Sequence, residues 1–140
     1  IAHVGNLENT SYDDFQRVYD VNVKGVFGCL QSGIKLMKKK GGAIINMASI
    51  ASLVGISDRF AYSMSKGAVY TMTLSVAKDY LKDKIRCNCI APARVHTPFV
   101  DGFIAKNFLV DILLCCFCIY LLVSILNRSN VLIDVFSSIS

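Results

Sequence analysis

"GGAIINMASI", residues 41 to 50, decides how the chain is read. A glycine pair opens it, an apolar run broken only by Asn46 follows, and Ser49 comes near its end. A short apolar run bounded by turn residues suits a strand buried on both faces, as in a parallel sheet. Working back from it, apolar positions recur at Val23, Val26, Phe27, Leu30, Ile34 and Met37. Steps of three and four predict a helix ending near Lys39, with Lys24, Gln31 and Lys35 outward. Lys38, Lys39 and Lys40 before Gly41 fit the end of that helix, where cations favour the dipole and glycine follows, better than a nucleic-acid or membrane patch. Further back, Thr10 with Asp13 and Ser11 with Asp14 have capping-box spacing ahead of Phe15, Val18 and Tyr19, which predicts a first helix to Tyr19 or Asp20.

Working forward, residues 59 to 82 carry no proline and read as one long helix. "KIRCNCIAP" then alternates and ends on Pro92, so a second strand from Ile85 to Ile90 is predicted. The order helix, strand, helix, strand implies an α/β architecture whose parallel strands are joined by a helical crossover. With 140 residues, 54% hydrophobic and 18% charged, the chain has room for one domain and is not a disordered one. It opens on Ile1 with no leader-like segment, so a fragment is expected. The charge of +5 is spread over the chain.

The six cysteines, at 29, 87, 89, 115, 116 and 118, give no two C-x-x-C spacings to pair with each other and no nearby histidine, so no zinc site is expected. Cys29, Cys87 and Cys89 read as small buried hydrophobes in a reducing compartment, which points to the cytoplasm. His3 and His96 have no positional support for catalysis and read as solvent-facing loop residues.

Tyr62 and Lys66, four apart in "AYSMSKGAVY", share one helix face. Spacing alone is weak, because Tyr80 and Lys84 repeat it. Context separates the two pairs. Ser49 stands thirteen positions before Tyr62, at the carboxyl end of the first predicted strand, whereas Gly67 stands thirteen before Tyr80. Ligands of open α/β sheets bind outside the carboxyl strand ends, where Ser49, the loop before Tyr62 and "PARVHTP" would converge.

These residues resemble the short-chain dehydrogenase/reductases, NAD(P)-dependent oxidoreductases with one Rossmann-type domain. "VYDVNVKGVF" resembles the segment of that family carrying an active-site asparagine, here Asn22. "INMASIASLVG" resembles its strand and serine loop, here Ser49, and "YSMSK" its Tyr-x-x-x-Lys. "RCNCIAPARVHTPF" resembles the strand and loop that close over the nicotinamide. The resemblance covers roughly residues 1 to 104 and implies a partial doubly wound parallel sheet of two strands and long helices, without the amino-terminal dinucleotide-binding half.

The resemblance implies NAD or NADP as cofactor, a small-molecule alcohol or carbonyl as substrate, no nucleic acid, and a homo-oligomer in the intact family. By the same token Tyr62 is the proton donor or acceptor and Ser49 orients the substrate oxygen. Lys66 acts on the phenol and holds the nicotinamide ribose, and Asn22 anchors a water linking Lys66 to solvent. Pro92, Val95 and Thr97 meet the cofactor. A free tyrosine ionises near ~10, so service near neutrality needs roughly 4 kcal/mol of phenolate stabilisation, for which Lys66 and an oxidised nicotinamide are the sources. Plainer readings stay open beside these: Asn22 as the cap of a second helix after a break, Ser49 as a loop serine beside the next helix, Tyr62 and Lys66 as a solvated helix pair, Thr97 beside Pro98 as turn chemistry.

The sequence departs from the family in three places. Its glycine-rich phosphate loop falls outside this chain. Ala93 stands where glycine usually follows the proline. After "FVDGFIAKN" comes "FLVDILLCCFCIYLLVSIL", residues 108 to 126, in place of a polar lid, as an unspliced intron or a shifted frame would produce. Residues 1–105 are therefore expected to form the partial family domain and 106–140 a divergent apolar tail. The tail has three readings: a membrane-seeking helix, the less favoured because its charge-free part is short of a span; an aggregation-prone segment; or a helix folded against the sheet. The chain alone is expected to bind the nicotinamide cofactor weakly and to be inactive. The rival to an oxidoreductase is a truncated, non-enzymatic product acting through subunit pairing or membrane association.

Overall fold

The computed structural model describes residues 1–93, together with the backbone of 119–125 and 131–137. Helix α1 (Tyr12–Tyr19) starts where Ser11 Oγ accepts the Asp14 N–H at 3.0 Å, with the Ser11 hydroxyl donating to Asp14 Oδ2 at 2.7 Å. Of the two candidate capping pairs, Ser11–Asp14 forms. No break follows. Asp20–Lys24 make a π-helical turn that runs straight into α2 (Gly25–Met37), and the backbone at Tyr19 (φ −62°, ψ −47°) and Lys24 (φ −61°, ψ −40°) is helical throughout. Asn22 therefore sits inside a continuous helix and is no cap, which corrects the two-helix reading of this stretch. A π-turn inserts one residue and bulges the helix, a distortion common at functional sites.

α2 ends as expected at Gly41, whose N–H reaches the Met37 carbonyl at 2.8 Å. Its φ is +74°, and a Cβ there would lie 2.8 Å from the Lys84 carbonyl oxygen, so glycine alone fits without strain. Strand β1 (Gly42–Met47) follows, then the short helix α3 (Ala51–Val54), the long helix α4 (Phe60–Asp79) and strand β2 (Ile85–Ala91). β1 and β2 pair in parallel from Gly42 opposite Ile85 to Met47 opposite Ile90, with α4 as the crossover. This is the α/β arrangement of helices on a parallel pair that the sequence predicts.

α4 lies close on the sheet because its buried stripe is made of small or β-branched residues at every fourth position: Ala61, Ser65, Val69, Thr73 and Ala77. Facing it, β2 buries Ile85, Cys87, Cys89 and Ala91 in strict alternation. Leu30, Cys87 and Ala77 form one apolar cluster with Val26, Ile44, Met72 and Val76; Ala48, Cys89 and Ala91 form a second with Tyr70 and Leu74. Asn46 joins this face through Thr73 Oγ1, to which its Nδ2 donates at 2.9 Å.

β1 is not buried on both faces as its composition suggests. Ile45 and Met47 are 63% and 54% exposed, because among the described residues helices cover only the face that carries Ile44 and Asn46. The sheet has two further strands, β3 (Ile119–Ile125) and β4 (Val131–Ser137), in the order β1-β2-β3-β4. β3 runs antiparallel to β2, pairing Leu121–Val123 with Cys89–Ala91, and β4 runs antiparallel to β3. Where a helix was the reading of this part of the tail, the structure has strands: the run Ile-Tyr-Leu-Leu-Val-Ser-Ile is apolar without a helical period, and a sheet edge satisfies its backbone. The rest of the 108–126 segment lies outside the described residues. No helix among them is long and apolar enough to cross a membrane.

Cys87 and Cys89 are free, buried thiols as expected, while Cys29 is exposed on α2. Burial, with Cys89 beside it, pushes the Cys87 thiol up from 9.0 to about 11, against an opposing hydrogen bond from Asn46. The folded state thus holds this proton to higher pH than the unfolded chain does. The stabilisation is complete below pH 9.0 and disappears as the pH climbs towards about 11. Urea unfolding across that window should show falling stability, and Cys87→Ala should make the fall shallower. An equally steep fall in the variant would place the effect elsewhere.

Candidate active site

Tyr62 and Lys66 occupy successive turns at the amino-terminal end of α4. The Lys66 ammonium lies 5.9 Å from the centroid of the Tyr62 ring and donates to the Met47 carbonyl at 2.8 Å. Met47 ends β1, so the lysine bridges the crossover helix to the carboxyl end of the strand. Half-buried there, Lys66 has its pKa lowered from the ordinary lysine value by loss of hydration. The competing pair is taken apart by the fold. α4 stops at Asp79, Lys84 has a positive φ of 58° in the turn beyond, and the Tyr80 ring receives Lys38 instead, at 5.5 Å.

Ser49 follows directly on the strand and is buried. Its Oγ accepts the Ala51 N–H at 3.2 Å, which starts α3 and leaves the hydroxyl hydrogen to donate elsewhere. The plainer reading of Ser49, a loop serine beside the next helix, is met by this bond without using the hydroxyl hydrogen. The strand ends are clamped beyond the regular ladder: Ala48 N–H donates to the Ile90 carbonyl and Ile50 N–H to the Pro92 carbonyl, both at 2.9 Å. Pro92 therefore has its carbonyl engaged in holding the serine loop. Val95, His96 and Thr97 lie outside the described residues.

Asn22 is buried in the π-turn, and its side-chain amide is fully committed. Oδ1 accepts from the amino-terminal nitrogen of Ile1 at 2.9 Å; Nδ2 donates to the Ile1 carbonyl at 2.8 Å and to Ser65 Oγ at 2.9 Å. The Ser65 hydroxyl in turn donates to the Tyr62 carbonyl at 2.8 Å. The π-turn is thereby tied to the turn of α4 that bears Tyr62 and Lys66. Ser65 was missed in the sequence; the available signal was its place in the period-four small stripe between the two site residues. His3 is another departure from expectation. It is largely buried and its Nε2 lies 3.4 Å from Asp14 Oδ2, so it braces the start of α1 instead of facing solvent.

A family profile described as enoyl-(acyl carrier protein) reductase matches residues 1–112. The chain belongs to the short-chain dehydrogenase/reductase family. It is 43% identical over 101 residues to 2-(R)-hydroxypropyl-CoM dehydrogenase of Xanthobacter autotrophicus, a match covering 71% of this chain and 40% of that protein. It is 42% identical over 99 residues to dehydrogenase/reductase SDR family member 6 of Danio rerio, covering 69% and 40%. The chain thus spans about two fifths of the length of these relatives. Among solved structures it is similar to ElxO with NADP bound (TM-score 0.72, 28% identity, 79% of this chain and 46% of that one). It is also similar to 4-hydroxyisoleucine dehydrogenase complexed with NADH (TM-score 0.67, 31% identity, 76% and 48%).

The dehydrogenase/reductase family uses NAD(P) and acts on small-molecule alcohols and carbonyls. The described residues fit one end of such a cofactor. An ammonium with donors beyond the one spent on Met47, placed beside a phenol at a strand's carboxyl end, suits the paired hydroxyls of a ribose. They do not supply the phosphate end: among them no glycine-rich turn links a strand to the start of a helix.

Proposed function

We propose that these residues form the proton-transfer part of an NAD(P)-dependent oxidoreductase site acting on an alcohol or carbonyl. The observation that carries this reading is Lys66, whose desolvated ammonium is held against the Met47 carbonyl and beside the Tyr62 ring. A nicotinamide, when bound, supplies or accepts the hydride. The chain's own residues handle the proton and the position of the reactants. The Tyr62 hydroxyl gives a proton to the carbonyl oxygen, or takes one from the alcohol. Lys66, positive and poorly hydrated, stabilises the phenolate left behind, and its spare donors hold the ribose. The Ser49 hydroxyl hydrogen orients the substrate oxygen. Asn22 serves through the backbone it holds, because its side-chain amide is already paired with Ile1 and Ser65. Pro92, Val95 and Thr97 contribute to the cofactor side, and buried free thiols at Cys87 and Cys89 suit a cytoplasmic setting.

The test is a chimera in which residues 1–104 replace the matching stretch of the Xanthobacter dehydrogenase, assayed for nicotinamide reduction with a panel of alcohols. Turnover is expected. A folded chimera that binds cofactor yet turns over no alcohol would overturn the reading. The 140-residue chain alone should bind NAD(P)H more weakly than micromolar, since among the described residues it offers only the ribose end of a site.

A second reading is favoured by one observation. Besides Ile45 and Met47 on β1, the apolar Val21, Phe27 and Leu36 are exposed on the π-turn and α2. A chain with these surfaces uncovered would pair with an intact homologous subunit without catalysing anything. Co-purification with a full-length relative supports that reading, and its absence removes it. Binding to liposomes would instead support association through the tail.

A further inference from the structure

α4 has apolar or small residues on most of its circumference, so packing alone leaves its roll about its axis weakly determined. Besides the Lys66 ammonium on the Met47 carbonyl, two polar contacts made by short, stiff side chains fix it. Near the middle of the helix, Thr73 Oγ1 accepts from Asn46 of β1 at 2.9 Å. In the turn that bears Tyr62 and Lys66, Ser65 Oγ accepts from Asn22 at 2.9 Å and donates to the Tyr62 carbonyl at 2.8 Å. Ser65 has 0% exposure, so these directional bonds form where no water competes.

We propose that Ser65 is a positioning residue: its buried hydroxyl locks the Tyr62–Lys66 turn of α4 to the Asn22 π-turn and so sets where the phenol and ammonium stand relative to the end of β1. The proposal rests on the oxidoreductase reading for its consequence, and on the hydrogen bonds alone for its geometry. A side-chain atom ~6 Å from a helix axis moves about 1 Å when the helix rolls by about 10°. A misplacement of about 1 Å can cost on the order of 100-fold in rate. Ser65 also explains the use of a π-turn: the bulge carries Asn22 to a place where one amide reaches both Ile1 and α4.

Three variants of the full chain separate positioning from bulk stability. Ser65→Ala removes both hydrogen bonds. Ser65→Thr keeps a hydroxyl, which in helices bonds the carbonyl three or four residues back. Val69→Ala removes packing from the same buried stripe without touching a polar contact. Two readouts are taken: the titration of the Lys66 ammonium by nitrogen-labelled lysine NMR, and turnover with its pH profile, measured also in the chimera. Ser65→Ala should raise the Lys66 midpoint towards that of a free lysine as the ammonium regains water. In the chimera it should lower kcat about 10- to 100-fold with little change in KM, and shift the pH profile. Ser65→Thr should restore both; Val69→Ala should lower the unfolding temperature and move neither.

An unchanged Lys66 titration in Ser65→Ala overturns the proposal, as does a Val69→Ala variant with the same loss of kcat. Should threonine's methyl group prevent folding, the contrast between Ser65→Ala and Val69→Ala decides. Should the unsubstituted protein and chimera show no turnover, the oxidoreductase reading fails, while the Lys66 titration still judges Ser65.

Discussion

Tyr62→Phe is expected to lower nicotinamide-dependent turnover about 10²- to 10⁴-fold, the range that a positioned acid or base contributes. The substitution removes one oxygen and keeps the ring, so the contact of the Lys66 ammonium with the ring survives and the fold should be unaffected. Turnover in the chimera, with thermal unfolding of the same variant, checks both halves of that statement. Tyr80→Phe is the matched control, because Tyr80 faces Lys38 at the far end of α4 and its sequence partner Lys84 has left the helix. Equal losses for the two tyrosines would mean that neither is the proton carrier. Turnover within a few-fold of the parent in Tyr62→Phe would remove Tyr62 from the mechanism.

The second large effect is on stability. Asn22→Leu keeps the number and branching of the side-chain heavy atoms and deletes every hydrogen bond the amide makes, leaving Ser65 Oγ without its donor in the interior and the Ile1 groups to the water that reaches that exposed residue. The expected cost is about 1–3 kcal/mol, the penalty of the one buried group, Ser65 Oγ, left without its donor. Urea unfolding measures it. A loss below about 0.5 kcal/mol in Asn22→Leu, the range of an ordinary surface substitution, would show that the π-turn holds without its amide.

Asn22 illustrates how sequence and fold divide the information. The asparagine stood out by its surroundings, "VYDVNVKGVF", but its setting did not. Helix-start spacing at Ser11 and apolar steps from Val23 onward suggested two helices with a cap between them. Tyr19, Val23 and Val26 keep steps of four and three across that point, a pattern that a helix continued through a π-turn carries as readily as two helices with a break. What decides between them is whether a buried partner waits for the side chain, and the partners, Ile1 and Ser65, are 21 and 43 positions away.

The tail shows the same limit. "CIYLLVSIL" reads as a helix or a strand by composition, and no local period arbitrates. The carboxyl half of β2 offers an open edge, and Leu121–Val123 take it in antiparallel pairing.

By itself, the sequence determined the parallel pair β1 and β2 around α4, the glycine at the end of α2, and the motifs that resemble the family's, with Ser49, Tyr62, Lys66 and Asn22 as candidates. These are local patterns, fixed by periods of 2 and 3.6 and by turn chemistry within a few residues. The context of Ser49 set Tyr62 and Lys66 apart from Tyr80 and Lys84 in the sequence, but only the tertiary structure parts Tyr80 from Lys84 and gives its ring to Lys38. It likewise decided that Lys66 reaches the Met47 carbonyl, and that Ser65 ties Asn22 to the turn bearing Tyr62. Each of these is a hydrogen bond or a burial between segments distant in sequence, and such contacts exist only once the chain has closed on itself.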